Sequence, residues 1–317
     1  MDSRFGARTF FDMYWLALRY SIPPLEYVVY GLDTPLRRAA LHQYLYWNDL
    51  PAFAAINRQL GADNRDVQDK DRFARICARH GLPHVPTLAV FDHGSQRYPD
   101  APFVPAAPLL WSKALRLKGG AGGTKWSRIG DVYRNSQSEL LSASALAEAF
   151  LGQDCIVQPV LENHPAIAPI TNGALATVRL VTGLDRSGEA VFVTSLLSLP
   201  RGANDTGIGG ILCAIDRQTG RLTKAIDPAG AAVARHPDTG ISIAGTVLPF
   251  WSRTVELVRR AHEIAFPRFA FLGWDVALTA IGPVLLETNS GWSALHHQML
   301  DGPLGETEFS RLVGQYV

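Results

Sequence analysis

The chain has 317 residues, 47% of them hydrophobic, and a formal net charge of +1. That length supports a sizeable core and two or three subdomains. The near-neutral balance argues against a dedicated nucleic-acid binder, which carries a basic excess. The three cysteines, Cys77, Cys155 and Cys213, have no metal-ligand spacing and read as buried thiols of a reducing, cytoplasmic compartment. The nine histidines contain no HExxH pattern. No run reaches the roughly 18 apolar residues of a membrane span, and the first residues show no clear signal-peptide cleavage site.

In chain order, residues 1 to about 60 read as helical, interrupted at Pro23-Pro24. Residues 10–26 are rich in aromatics. They suit a helix on a membrane surface or one packed on the main body or a partner, and the sparse Lys and Arg favour the second reading. The charged stretch DNRDVQDKDR marks a boundary. Phe73, Ile76, Cys77 and His80 then recur at i, i+3, i+4 and i+7, which predicts an amphipathic helix over 69–80, closed by Gly81. A strand is expected at 85–91. Pro99, Pro102, Pro105 and Pro108 fall at every third position, the period of polyproline II, and read as a stiff connector.

Strands at 109–118 and 156–161 flank a glycine-rich turn and a helix, the latter with a Ser136–Glu139 capping box and a terminal Gly152. A meander at 174–185 and 189–199 leads to the glycine-rich loop 200–210, which includes Arg201, Asn204 and Asp205 and reads as a flap. A helix at 252–266 follows. Strand runs with interspersed helices predict an α+β fold rather than a doubly wound parallel sheet.

The most informative residues are Asp275, Glu287 and Asn289, in GWDVALTAIGPVLLETNSGW. Two carboxylates and an amide oxygen are the hard-oxygen set that Mg²⁺ uses when it also carries nucleotide phosphates. Strands at 271–279 and 284–289 are joined by Ala280-Ile281-Gly282-Pro283, and Glu287 and Asn289 share a face. Asp275 joins them only if the loop is odd or a bulge intervenes, because a two-residue loop alone puts it on the other face. The competing reading is a hairpin with a wet polar face.

A second constellation, LWSKALRLKGGAGGTKW, holds Lys113, Lys118, Gly119, Gly120, Gly122, Gly123 and Lys125. It is either a flexible hairpin or a phosphate cradle; it is not a Walker A loop. Arg179, in ATVRLVTG, reads as a mid-strand arginine that needs an anion, either a structural carboxylate or a bound substrate.

The order DKDRF, KALRLKGGAGG, IVQPVLENHP, TVRLVTG and GWDVALT…GPVLLETNSG resembles the ATP-grasp superfamily, and within it the sugar-transfer-associated branch found among polysaccharide-cluster enzymes. The resemblance runs from about Gln68 to Gln298. It implies two α+β subdomains gripping ATP, with an N-terminal helical extension. The corresponding divisions are 1–62 (extension), 63–108 (N-terminal part of the ATP-grasp region), 109–162 (glycine-loop lid) and 163–317 (catalytic, magnesium-binding).

The resemblance also implies site roles. Lys70 and Lys113 contact phosphate, and Gly119, Gly120, Gly122 and Gly123 form the lid loop. Gln158, Pro159, Val160 and Leu161 form the adenine hinge, with His164 near the ribose. Arg179 neutralises the transferred group, while Asp275, Glu287 and Asn289 hold Mg²⁺, expected as two ions and replaceable by Mn²⁺. The family usually has proline after the first loop lysine; here it is Ala114, which loosens the register of the lid. The implied activity is ADP-forming ligation of a carboxylate, through an acyl phosphate, to an amine or other nucleophile. A phosphotransferase acting on a sugar or other hydroxyl, and a non-catalytic nucleotide-binding regulator, are the alternatives. The acceptor is not readable; the flap 200–210 and residues 290–297 are expected to shape its site, and His296 and His297 suggest acid–base chemistry but read better as the polar start of a helix.

Overall fold

Local chemistry sets the first elements. Pro24, Pro35 and Pro51 each stand in the first turn of a helix, where the missing N–H costs nothing. The computed structural model describes residues 6–117, 123–202 and 209–316. It opens with α1 (Ala7–Tyr20), α2 (Pro24–Val29), α3 (Pro35–Ala39), α4 (Leu50–Gln59), α5 (Arg65–Gln68) and α6 (Lys70–Arg79). The Asp69 carboxylate caps α6, accepting from the amides of Asp71 and Arg72 at 3.0 and 3.1 Å. Phe73 and Cys77 are the buried stripe of α6, as the periodicity predicts.

The next segment gives β1 (Ala89–Asp92), β2 (Ser95–Tyr98), β3 (Leu109–Ala114), β4 (Thr124–Ile129), β5 (Val132–Asn135), β6 (Leu140–Ser142), α7 (Ala143–Leu151) and β7 (Cys155–Pro159). These strands form an antiparallel sheet in the order β2-β1-β7-β3-β4-β5-β6. Its core gathers Phe91, Leu110, Trp126, Tyr133, Leu146 and Phe150.

Two expectations change here. The strand expected from residue 85 begins at Ala89, because 83–85 is taken up elsewhere. The helix is capped by Ser142, whose hydroxyl accepts from the Ala145 amide. Ser136–Glu139 is a turn, in which the Asn135 side chain accepts from the amides of Gln137 and Glu139. The proline segment returns to β3 held by Gln96, which donates to the Ala101 carbonyl and accepts from the Phe103 amide.

The remainder forms β8 (Thr177–Leu184), β9 (Ala190–Leu199), β10 (Ile211–Ile215), β11 (Leu222–Ile226), α8 (Trp251–Ala265), β12 (Phe271–Thr279), β13 (Gly282–Asn289), α9 (Leu295–Asp301) and α10 (Glu308–Val313). The second sheet, also antiparallel, runs β11-β10-β9-β8-β12-β13. Val178, Leu180, Leu272, Trp274 and Val276 pack with Val258, Ala261 and Phe266 of the α8 region. His262 closes a buried relay on this side. Trp274 Nε1 donates to Thr182 Oγ1 at 2.8 Å, Thr182 donates to His262 Nδ1 at 2.8 Å, and His262 Nε2 donates to the Phe269 carbonyl at 2.8 Å. A carbonyl only accepts, so this places the imidazole proton on Nε2. On the opposite face, Leu196, Leu212 and Ala214 receive Leu300 of α9.

The two sheets meet where residues 83–85 run beside β13. Leu285 N donates to the Pro83 carbonyl at 2.9 Å, and Val85 N donates to the Leu285 carbonyl at 3.3 Å. The N-terminal helices attach at α9. The buried Gln298 side chain accepts from the amides of Leu45 and Leu304 and donates to the Leu45 carbonyl and Tyr30 Oη, at 2.8–3.1 Å. Helix α1 packs inward through Leu16 and presents Phe10, Phe11, Tyr14, Trp15 and Leu18 to solvent. Among the described residues, no helix is long and apolar enough to cross a membrane.

Candidate functional site: a cavity between the two sheets

The turn between β12 and β13 has two residues, since Thr279 pairs with Gly282 and Val276 with Leu285. On that count alone Asp275 would face away from Glu287. A β-bulge restores the match: Leu286 is the extra residue, and beyond it Asp275 pairs with Glu287 and Gly273 with Asn289. The bulge is therefore what brings the metal-type residues onto one face.

The next strand continues the row. Arg179 on β8 pairs with Asp275 on β12, and its Nε lies 3.2 Å from Asp275 Oδ1. The arginine is not enclosed among Val and Leu as its sequence context suggests; its side chain is 48% exposed. The Asp275 carboxyl is also in hydrogen-bond contact with Glu287. Burial raises its pKa and the neighbouring Glu287 charge adds to the rise, against Arg179 and Lys113. Asn289 makes no side-chain hydrogen bond among the described residues. Two touching carboxyls and an unpartnered amide form a donor set that a hard dication fits.

A cavity of about 410 Å³ opens over this row. Its lining includes Val85, Trp111, Gln158, Pro159, Val160 and Leu161, together with the bulged Leu286. Lys113, Lys125, Asp275 and Glu287 line it as well, as do Thr177, Arg179, Ser198, Leu212, Pro228 and His296. Lys113 sits on β3 and reaches into the field of both carboxylates; burial lowers its pKa, with Glu287 and Asp275 opposing and Lys70 reinforcing. Lys70, the first residue of α6, donates from Nζ to the Leu117 carbonyl at 2.6 Å, where burial lowers its pKa against the pull of Glu287 and Asp69.

The cavity thus gathers Lys113, Gln158, Pro159, Val160, Leu161, Arg179, Asp275 and Glu287. Lys70 stands just outside the lining, linked through its charge to Glu287. Gly123 is described and does not line the cavity; Gly119, Gly120 and Gly122, with Lys118, Asn204 and Asp205, lie outside the described residues. His164 is placed differently from the expectation. Its Nδ1 accepts from the Ala166 amide at 3.0 Å and its ring meets Phe250 edge-on, so it orders its own loop and does not line the cavity. Sequence reasoning missed Thr177 and Ser198, which are paired across β8 and β9; His296, weighed for acid–base chemistry and set aside as part of a helix start, also lines the cavity.

Two α+β units closing on one cleft are the architecture of the ATP-grasp fold. The family model described as sugar-transfer associated ATP-grasp matches residues 59–308, and this chain belongs to that family. No curated protein matches. Among solved structures, the chain is similar to biotin carboxylase from Campylobacter jejuni in its β-γ-ATP complex (12% identity, TM-score 0.45), covering 80% of this chain and 46% of that one. It is also similar to N5-carboxyaminoimidazole synthetase from Staphylococcus aureus (14%, TM-score 0.43; 78% and 52% covered). A third is L-amino acid ligase from Bacillus licheniformis (11%, TM-score 0.39; 74% and 43% covered). The chain spans about half the length of these structures.

Proposed function

We propose that the protein is an ATP-dependent, ADP-forming ligase that activates a carboxylate as an acyl phosphate and joins it to an amine or other nucleophile. The observation that carries this reading is one cavity lined by an apolar set (Val85, Trp111, Val160, Leu161, Leu286), two lysines, a carboxylate pair and an arginine.

The adenine lies against Val85, Trp111 and Leu286, with its edge on the Gln158–Leu161 backbone. Lys113 and Lys70 hold the phosphates, and Gly119, Gly120, Gly122 and Gly123 cover them. Asp275, Glu287 and Asn289 hold Mg²⁺, which when bound neutralises charge on the β- and γ-phosphates. Arg179 holds the substrate carboxylate in line with the γ-phosphorus and stabilises the acyl phosphate that results. The nucleophile then attacks the acyl carbon, the C–O bond to phosphate breaks, and phosphate leaves with the electron pair.

The assignment extends to organisation. Residues 63–108 and 109–162 act as the nucleotide-gripping part, 163–317 as the catalytic part, and 1–62 as an extension whose outward apolar face on α1 supports contact with a partner or a membrane surface. A cytoplasmic place in polysaccharide or natural-product assembly is consistent with this reading.

The test is an ADP-release screen of carboxylates, with Mg²⁺-ATP and either amines or hydroxylamine as nucleophile. ADP release that requires both a carboxylate and a nucleophile is expected. Turnover indifferent to every carboxylate overturns the ligase reading, and a stable phosphorylated product replaces it with phosphotransfer.

A further inference from the structure

Exposed apolar surface gathers in the N-terminal extension. Among the described residues, nine of the twenty large hydrophobic side chains left exposed lie between Phe10 and Trp47, as do five of the six aromatic ones. Single apolar residues on a surface need no account, but a cluster does. Helix α1 carries most of this one, at Phe10, Phe11, Tyr14, Trp15 and Leu18, each 52–70% exposed. At about 100° per residue the five fall in one arc of about 140° and present roughly 600 Å². Leu16 is the only fully buried residue of the helix, so this arc is not its packing face.

The charges of α1 decide what covers the arc. Asp12, its one acid, turns toward α2 and α3, where it accepts from Tyr27 Oη at 2.6 Å and pairs with Arg38. Arg8 and Arg19 stay exposed, three turns apart on the shoulder of the helix beside Trp15, about 16 Å from each other along the axis. Neither is in an ion pair among the described residues; Arg19 lies over the Tyr20 ring at 5.1 Å. The outward side of α1 is thus apolar and cationic. A second copy of this chain docked on the same face would bring four arginines to the interface and no acid of α1 to meet them. The arc is also smaller than the ~800 Å² per partner of a stable protein interface. A surface of lipid phosphates supplies the missing anions and demands no matching shape.

We propose that α1 lies on an anionic membrane surface, with its aromatic arc at the boundary of headgroups and acyl chains and with Arg8 and Arg19 on the lipid phosphates. This rests on the reading of residues 1–62 as a contact-making extension, and not on the ligase chemistry. Tyr14 and Trp15 have the apolar body and polar tip that suit the headgroup level, and Phe10, Phe11 and Leu18 supply the apolar depth. The arginines keep their stems beside the arc while their planar heads take phosphate oxygens. The Asp12–Arg38 pair has a part in this, because a carboxylate turned outward would stand against the same phosphates.

The experiment sediments the full chain with vesicles of phosphatidylcholine alone and of phosphatidylcholine mixed with phosphatidylserine. The protein is expected to bind the mixed vesicles, and more weakly as salt rises. Arg8→Ala with Arg19→Ala should weaken that binding about 30-fold, at roughly 5-fold for each cation near an anionic leaflet. Phe11→Glu with Leu18→Glu should weaken it on both vesicle types, by about 10-fold or more. Urea midpoints establish that the variants fold. A second measurement needs no charged variant: brominated acyl chains should quench tryptophan emission in the parent protein, and less in Trp15→Phe. Absence of binding to the mixed vesicles overturns the proposal, and so does equal binding by the parent and both double variants. A dimer that Phe11→Glu with Leu18→Glu dissolves, with no vesicle binding, puts a second copy on the face and leaves the contact-making reading standing. Neither vesicle binding nor self-association overturns the proposal and leaves that face to a different protein.

Discussion

Arg179 and Asp275 face each other across neighbouring strands, with Nε 3.2 Å from Oδ1, so the arginine is positioned by the same carboxylate that is assigned to the metal. The planar guanidinium can keep that contact and still address an anion in the cavity; a lysine ammonium cannot do both with the same geometry. Arg179→Lys should therefore lower ADP release by about 100-fold, the cost of losing one preorganised charge donor. Nucleotide binding, read by a fluorescent ATP analogue, should change much less. Equal losses in both would place Arg179 on ATP rather than on the transferred group.

Stability should depend on pH through the buried histidines. Burial pushes His262 down to about 4 and His297 down to about 3, from an ordinary value of 6.5. The folded pKa lies below the unfolded one, so as pH falls the unfolded chain takes up protons first. The stabilisation is complete above about pH 6.5 and is lost progressively toward about pH 4. Urea midpoints measured between pH 7.5 and 4.5 should fall on the acid side, and His262→Gln should flatten that slope. An identical slope in the variant would show that His262 does not carry the effect.

Gly273 leaves no room for a side chain. A Cβ there would sit 2.5 Å from the Trp292 Cβ, on the strand that also holds Asp275. Gly273→Ala should cost about 1–3 kcal/mol through overpacking, measured by chemical denaturation. The displacement of Trp292 should appear as a shift in tryptophan fluorescence. A variant as stable as the parent would mean that the Trp292 segment moves without cost.

Gln298 is fully enclosed and uses both ends of its amide, tying Leu45 and Tyr30 to α9 and Leu304. Gln298→Leu keeps the bulk and strands several polar partners, each worth about 1–3 kcal/mol when left unmade in the interior. The expected result is a markedly lower unfolding midpoint, with protease cleavage appearing first in the N-terminal helices. Cleavage that begins elsewhere would locate the weak point outside this junction.

Much of this was legible in the chain. The α6 stripe, the long strands β8, β9, β12 and β13, and α8 all follow from apolar runs of the right period. Strands β4, β5 and β6 were not: β4 and β5 are short and largely polar yet contribute Trp126 and Tyr133 to the core, and β6 has only three residues, none fully buried. The Ser136–Glu139 pattern fitted a helix start, but the Asn135 side chain binds those amides first and turns the chain. For the site, parity named the condition without choosing its solution: an odd loop and a bulge give the same alternation, and the chain uses the bulge at Leu286. Thr177 and Ser198 were out of reach because their place in the lining depends on how β8 pairs with β9.

The family pattern begins at residue 59, after Tyr30 and Leu45 have already made their bonds to Gln298. The edge of shared sequence is therefore not a seam in the molecule. Gln298 lies two positions from His296 on the same short helix, so residues 30–45 brace a wall of the cavity from behind. A change at Tyr30 or Leu45 therefore reaches the cavity wall through Gln298 without touching the cavity itself.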